Sequence, residues 1–312
     1  MKLVRVGLLS AAFATFVNGF SFSELTPDEE NRIYGGSNAE IGKHLYIASL
    51  HSNGSDSELF CGGTLIAPQY ILTAGHCLIW PMYDVYVSLG SKHRSGGGSQ
   101  KAEMIRAVEA YRHPLYQLSA DWTTLTHDVA LLKLETPSKI QPARLASADG
   151  SDNKPGMMAT TLGWGLVNNE TDSETLQTVD VEIITNKKCA KMYADAHDNS
   201  TVDDSVICAG HGNGKDSCSG DSGGPLLVSN VVVGVVSSGP DECGVLPGTY
   251  ARVSNAIGFL SDIQSGGSTG DVTEPLEEPM SLTLFMQRCK MERSSNRSDG
   301  GNITAKYGSR LR

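Results

Sequence analysis

The 312-residue sequence predicts an all-β fold. Its central region is a succession of short apolar runs, at 45–50, 64–66, 70–73, 85–89, 130–134, 178–184 and 226–236, broken by Gly, Pro, Asn and Ser. The runs are rich in β-branched residues, which fit the pleated surface of a sheet, and apolar residues at helical spacing are few. A chain of this length can bury a sizeable core, as one large domain or two small ones. The formal net charge of −10 argues against a nucleic-acid surface, which would be basic.

Read from its start, the chain opens with Lys2 and Arg5, a mostly apolar stretch over 6–17, and small residues at Gly19 and Ser21. Residues 1–19 therefore read as a signal peptide, and the protein as secreted and extracellular. The apolar stretch is too short for a membrane anchor, and no later segment is apolar enough to span a bilayer. Residues 20–32 are short, polar and acidic, contain Pro27, and read as a propeptide. The β-type runs occupy 33–264. A Gly/Ser-rich linker follows at 265–270, then acidic residues at Asp271, Glu274, Glu277 and Glu278 and a basic stretch over 288–312. By composition 265–312 is a low-complexity, disordered tail. Seven cysteines in a secreted chain imply disulfides with one cysteine left over, and spacing alone leaves their connectivity open. Sequons at Asn53, Asn169, Asn199, Asn296 and Asn302 permit glycosylation.

Chemistry is concentrated in three segments. The stretch GKDSCSGDSGGP at 214–225 sets Ser222 among small, flexible residues. A serine in such a tight turn exposes its hydroxyl and aims backbone N–H groups at the space a substrate carbonyl would fill, which makes a nucleophile with an oxyanion hole. TAGHC at 73–77 supplies His76 as a base, and HDVALLKL at 127–134 supplies Asp128 as the acid that orients it. The order His, Asp, Ser differs from the orders found in subtilisins and α/β-hydrolases.

These three segments, in that order, resemble the chymotrypsin/trypsin family of serine proteases, with similarity from about Ile33 to Gln264. The resemblance implies two six-stranded antiparallel β-barrels with the site between them and a short C-terminal helix over 256–264. It implies a catalytic triad of His76, Asp128 and Ser222 and an oxyanion hole from the N–H groups of Gly220 and Ser222. The disulfides it implies are Cys61–Cys77, Cys189–Cys208 and Cys218–Cys243, with Cys289 unpaired. RIYGG at 32–36 resembles the family's activation site: cleavage after Arg32 would free the amino group of Ile33 to pair with Asp221. A buried carboxylate without a partner is costly, so that pairing would order the loop. Asp216, six residues before Ser222, matches the floor of the primary specificity pocket, with Ser217, Ser237, Gly239 and Gly248 lining it. A carboxylate there implies cleavage after Arg or Lys.

The sequence departs from the family at Gly75, where alanine is usual, at Ser238, where a tryptophan usually walls the cleft, and at His127, where asparagine is frequent. No cofactor is expected: the histidines form no metal-ligand pattern such as HExxH, and LGSKHR at 89–94 is basic where the family's calcium loop is acidic. The expected partners are protein or peptide substrates with Arg or Lys at the cleaved bond, and protein inhibitors. An alternative comes from the same resemblance. The Ile33–Gly36 start, KHLY at 43–46 and the missing tryptophan are similar to oomycete trypsin-like proteins, some of which are inactive inhibitors of plant β-glucanases. Those relatives lack triad members, whereas His76, Asp128 and Ser222 are all present here.

Overall fold

A computed structural model describes residues 35–273 apart from 80–82, 169–170 and 241. The signal peptide, the propeptide, the activation pair Arg32 and Ile33, and the tail from 274 with Cys289 lie outside the described residues.

Strands β1 (Ile47–His51), β2 (Leu59–Ala67), β3 (Tyr70–Thr73), β4 (Tyr86–Leu89), β5 (Glu103–Arg112) and β6 (Ala130–Leu134) close a first antiparallel barrel in the order β1-β2-β3-β6-β5-β4. Strands β7 (Met158–Gly163), β8 (Gln177–Ile184), β9 (Val206–Ala209), β10 (Pro225–Val228), β11 (Val231–Ser238) and β12 (Gly248–Arg252) close a second in the order β7-β8-β9-β12-β11-β10. The two barrels share one topology, and two six-stranded antiparallel barrels are what the family resemblance implies. Closure removes the exposed edges that an open sheet would present to other chains.

Alternation sets the inward faces. In β8, Gln177, Val179, Val181 and Ile183 are buried while Asp180 is exposed. Strand β11 is buried at seven consecutive positions, 231–237, because its outer face is covered as well, by helix α2 (Val253–Gln264).

Three segments differ from the sequence reading. The apolar run at 226–236 is two strands, β10 and β11, joined at Ser229 and Asn230. Both residues have positive φ, 49° and 61°, as a two-residue hairpin loop whose twist matches its strands requires. A helix absent from that reading, α1 (Asn186–Asp195), starts where Thr185 Oγ1 accepts the Lys188 N–H. It buries Cys189 and Tyr193, one turn apart. The C-terminal helix begins three residues before the expected 256, at Val253.

The chain beyond α2 also remains in contact with the barrels. Gly270 accepts the Arg112 N–H at 2.8 Å, and Val272 donates to the Ala110 carbonyl at 2.8 Å. Asp271 and Tyr111 form an antiparallel bridge. Residues 270–273 therefore lie as a short strap along β5, although composition places them in the tail. Helix α2 joins the barrels too: the Tyr70 hydroxyl donates to the Ile263 carbonyl at 3.3 Å, and Phe259 packs edge-on against His113.

Candidate active site

Strand pairing brings the first two residues together. Thr73 of β3 lies opposite Ala130 of β6 in antiparallel register. The chain leaving β3 therefore meets the chain entering β6, and His76 arrives beside Asp128. His76 sits on a 3-10 turn (Gly75–Leu78), tied to β2 by the Cys61–Cys77 disulfide.

Asp128 is 1% exposed, and its carboxylate accepts three hydrogen bonds. Oδ1 accepts the His76 backbone N–H at 2.7 Å. Oδ2 faces His76 Nδ1 at 2.7 Å and accepts the Ser237 hydroxyl at 2.6 Å. An ionised carboxylate can only accept, so Nδ1 carries the proton and the neutral ring keeps its lone pair on Nε2. Burial pushes the His76 pKa down, but the charge and hydrogen bond of Asp128 outweigh it, and the net shift is upward.

Ser222 comes from the second barrel but is fastened to the first. Its carbonyl accepts the Gly62 N–H at 2.6 Å, and the Gly62 carbonyl accepts the Thr73 hydroxyl at 2.8 Å. Gly62 follows Cys61, whose disulfide partner Cys77 follows His76, so nucleophile and base hang from adjoining anchors. Gly223 has φ +83°, and a Cβ there would fall 2.4 Å from the Gly62 oxygen. Only glycine lets the turn approach so closely. Among the described residues no hydrogen bond joins the Ser222 hydroxyl to the His76 ring. Such bonds often tighten only when substrate is present.

In this turn Asp221 and Gly224 donate their N–H groups to the Cys218 and Asp221 carbonyls, and Gly223 donates to the Val236 carbonyl of β11. Those of Gly220 and Ser222 have no acceptor among the described residues, leaving two adjacent donors beside the hydroxyl. Asp221 points the other way and is 1% exposed, with Oδ1 accepting from Gly165 N at 2.8 Å and Oδ2 from Cys218 N at 2.9 Å. Burial still raises its pKa to about 6 against those two bonds. A side chain at Gly163 or Gly165 would strike this carboxylate.

Ser217, Cys218, Ser219, Ser222, Ser237 and Gly239 line a cavity of about 250 Å3. Asp216 lies behind them, 1% exposed, with the Ser217 hydroxyl and Gly244 N–H donating to it at 3.5 and 3.4 Å. Those bonds are long, and burial lifts its pKa to about 7. A Cβ at Gly248 would sit 2.3 Å from Asp216 Oδ1, and one at Gly239 would sit 4.0 Å from Oδ2. Gly248 is thus required by the carboxylate itself, while Gly239 keeps the opening wide. The Cys218–Cys243 disulfide closes this wall, and Cys189–Cys208 fastens α1 to β9.

Several features escaped the sequence reading. Ser237 was expected only as a pocket residue, yet its hydroxyl also holds Asp128. Gly75 has a local cause: a Cβ there would lie 2.8 Å from the Tyr116 ring and 3.1 Å from Asp128 Oδ1. His127 lies in the left-handed region at φ 49°, stacked on His113 with centroids 5.0 Å apart. Trp122 stands edge-to-face with His76, centroids 6.3 Å apart. Cys61, Cys77 and His76 group closely enough to suggest a metal site, but both sulfurs are in the disulfide and are not thiolate ligands.

The family model described as Trypsin matches residues 33–260. Among curated proteins, "Glucanase inhibitor protein 3" of Phytophthora infestans is 36% identical, over 77% of this chain and 92% of its own length. "Trypsin 5G1" of Aedes aegypti is 35% identical, over 74% of this chain and 85% of its own. Among solved structures, mouse neuropsin, described as a serine protease, superposes with a TM-score of 0.64 at 28% identity, covering 73% of this chain and 98% of that one. The chain belongs to the trypsin family.

Proposed function

We propose that this protein is a secreted endopeptidase, made as a zymogen, that hydrolyses peptide bonds after Arg or Lys. The observation that carries the reading is the buried Asp216 carboxylate, which accepts the hydroxyl of Ser217, a residue that lines the same cavity as Ser222. A substrate arginine or lysine entering the cavity would pair with that charge, and its carbonyl would lie at the Ser222 hydroxyl. His76 Nε2 takes the hydroxyl proton as Ser222 Oγ bonds to the carbonyl carbon, then returns it to the leaving amine. Asp128 holds the ring and balances the imidazolium, and the N–H groups of Gly220 and Ser222 receive the oxyanion. Water repeats the sequence to release the acid.

Activation follows from Asp221. A pKa raised from 3.8 to about 6 means that holding the charge there costs on the order of 3 kcal/mol relative to a solvated carboxylate. A cation delivered to it would recover that energy and brace Gly220 and Ser222, and cleavage after Arg32 would create one at Ile33.

A second reading is a binding protein on the same scaffold, supported by the similarity to glucanase inhibitor proteins. Its partners would be proteins recognised on the same face. One experiment separates the two: hydrolysis of matched Arg, Lys and Phe peptide substrates by protein cleaved after Arg32, beside a Ser222→Ala control. Turnover of the Arg and Lys substrates that is lost in the control supports the protease. Folded, cleaved protein that turns over none of them supports the binder.

A further inference from the structure

A loop of the first barrel leans on the second barrel close to the nucleophile turn. This loop follows β4 and holds its own shape: Gly97 N donates to the Ser91 hydroxyl oxygen at 2.9 Å, and Lys92 N to the Gly97 carbonyl at 2.7 Å. It lies along the chain entering β8 through backbone contacts. Arg94 N donates to the Glu174 carbonyl at 3.0 Å, Leu176 N donates to the Lys92 carbonyl at 2.9 Å, and His93 and Thr175 form an antiparallel bridge. These contacts set the Arg94 guanidinium on the Asp172 carboxylate, an ion pair whose side chains are only 23% and 34% exposed.

Asp172 in turn adjoins the turn that carries Ser222. It bridges to Leu166, whose N–H donates to the Ser219 carbonyl at 2.8 Å, and Gly165 N donates to Asp221 Oδ1 at 2.8 Å. Gly220 comes so near that a Cβ there would sit 2.9 Å from Gly165 Cα and 3.4 Å from Asp172 Oδ1. The carboxylate therefore stands beside one of the two N–H donors that have no acceptor among the described residues, and its charge also raises the Asp221 pKa. A negative charge at this place opposes the negative charge that develops on a substrate carbonyl oxygen.

We propose that Arg94 is a positioning residue for the reaction: it holds Asp172 in an ion pair beside the Gly220–Ser222 turn and neutralises it, damping the field of that carboxylate at the oxyanion donors and at Asp221. This rests on the protease reading. The backbone contacts between the loops do not involve the guanidinium, so its removal takes away charge rather than fold. The lost charge matters most where new charge appears, in the transition state, and so falls on kcat rather than on KM.

The test is kcat and KM for a Gly-Phe-Arg amide substrate, measured on protein cleaved after Arg32 as the unmodified chain, Arg94→Gln, Asp172→Asn and the double variant. Arg94→Gln should lose about fivefold or more in kcat with KM changed by less than about twofold. Asp172→Asn should keep kcat, and the double variant should recover most of the loss, because no carboxylate then needs a partner. A loss that Asp172→Asn shares, or that the double variant keeps, would mean that the pair only braces the loops and would overturn the proposal; so would an unchanged kcat in Arg94→Gln. If the unmodified protein turns over nothing, the protease reading fails by itself, and the carboxyl 13C titration of Asp221 in uncleaved protein decides the neutralisation. A midpoint higher by about 0.5 pH or more in Arg94→Gln, and back at or below its original value in the double variant, upholds it. A midpoint that Arg94→Gln leaves in place overturns it.

Discussion

For the proposed protease the most consequential residue is Asp216, because its ionisation state would decide whether the pocket attracts a cation. Burial raises its pKa to about 7 against hydrogen bonds from the Gly244 and Ser217 backbones and the Ser217 hydroxyl, so the free protein holds it partly protonated at neutral pH. A bound cation favours the charged form, so binding and proton release are linked. Benzamidine, a small rigid cation, should therefore bind more weakly at pH 5.5 than at pH 8.5, by about tenfold or more, and calorimetry in two buffers should detect a released proton. Asp216→Asn protein should bind weakly at both pH values. A pH-independent affinity in the unmodified protein would remove Asp216 from the proposed pocket. The residue's position was legible from its spacing to Cys218 and Ser222. Its environment was not, because desolvation depends on what folds over it. The same holds for Ser237, which the sequence leaves as a pocket residue. Its bond to Asp128 joins residues 109 positions apart, and no local pattern encodes that separation.

Among the elements, β1, β3, β4, β6 and β8 announced themselves by apolar runs and punctuation, β5, β7, β9 and β12 lie outside those runs, and the other misreadings arose where two signals overlapped. The run at 226–236 hides its turn because Ser229 and Asn230 are only two residues, flanked by Val228 and Val231. Helix α1 is polar on most of its surface, so its signal reduces to the Thr185 cap and the Cys189/Tyr193 spacing. The strap at 270–273 is the clearest case of composition outweighed by tertiary contact. Gly and Ser make 265–270 look like a linker, yet a Cβ at Gly270 would fall 1.9 Å from the Arg112 carbonyl oxygen. The Gly270 carbonyl, the Val272 N–H and the Thr273 hydroxyl each pair with β5. At about 1 kcal/mol net for each bond, the strap contributes on the order of 3 kcal/mol. A chain ending at residue 264 should therefore melt about 5 °C or more below one ending at 273. Equal melting temperatures would show that the strap adds nothing to the fold.

At the scale of the whole molecule, the two barrels share one topology but divide the chemistry: the first carries His76 and Asp128, the second Ser222, Asp216 and Asp221. Asp221 has a folded pKa of about 6 against an ordinary value of 3.8. A group raised in this way contributes stability that is fully present below about pH 4 and lost as pH rises through about 6. Uncleaved protein should therefore lose on the order of 3 kcal/mol from this group alone between pH 4 and pH 7.5. If the Ile33 ammonium pairs with Asp221 after cleavage at Arg32, the carboxylate pKa falls and that loss disappears. The raised pKa values of Asp216 and His76 change stability in the same direction with pH, and because the Asp221 charge is one of the groups that raise Asp216, the comparison is made in an Asp216→Asn background. The stability gained on cleavage, read from urea midpoints, should accordingly be small at pH 4.5 and larger at pH 7.5. It should vanish in Asp221→Asn protein, where no charge waits for a partner. A gain of equal size at both pH values would place the effect of cleavage elsewhere than Asp221.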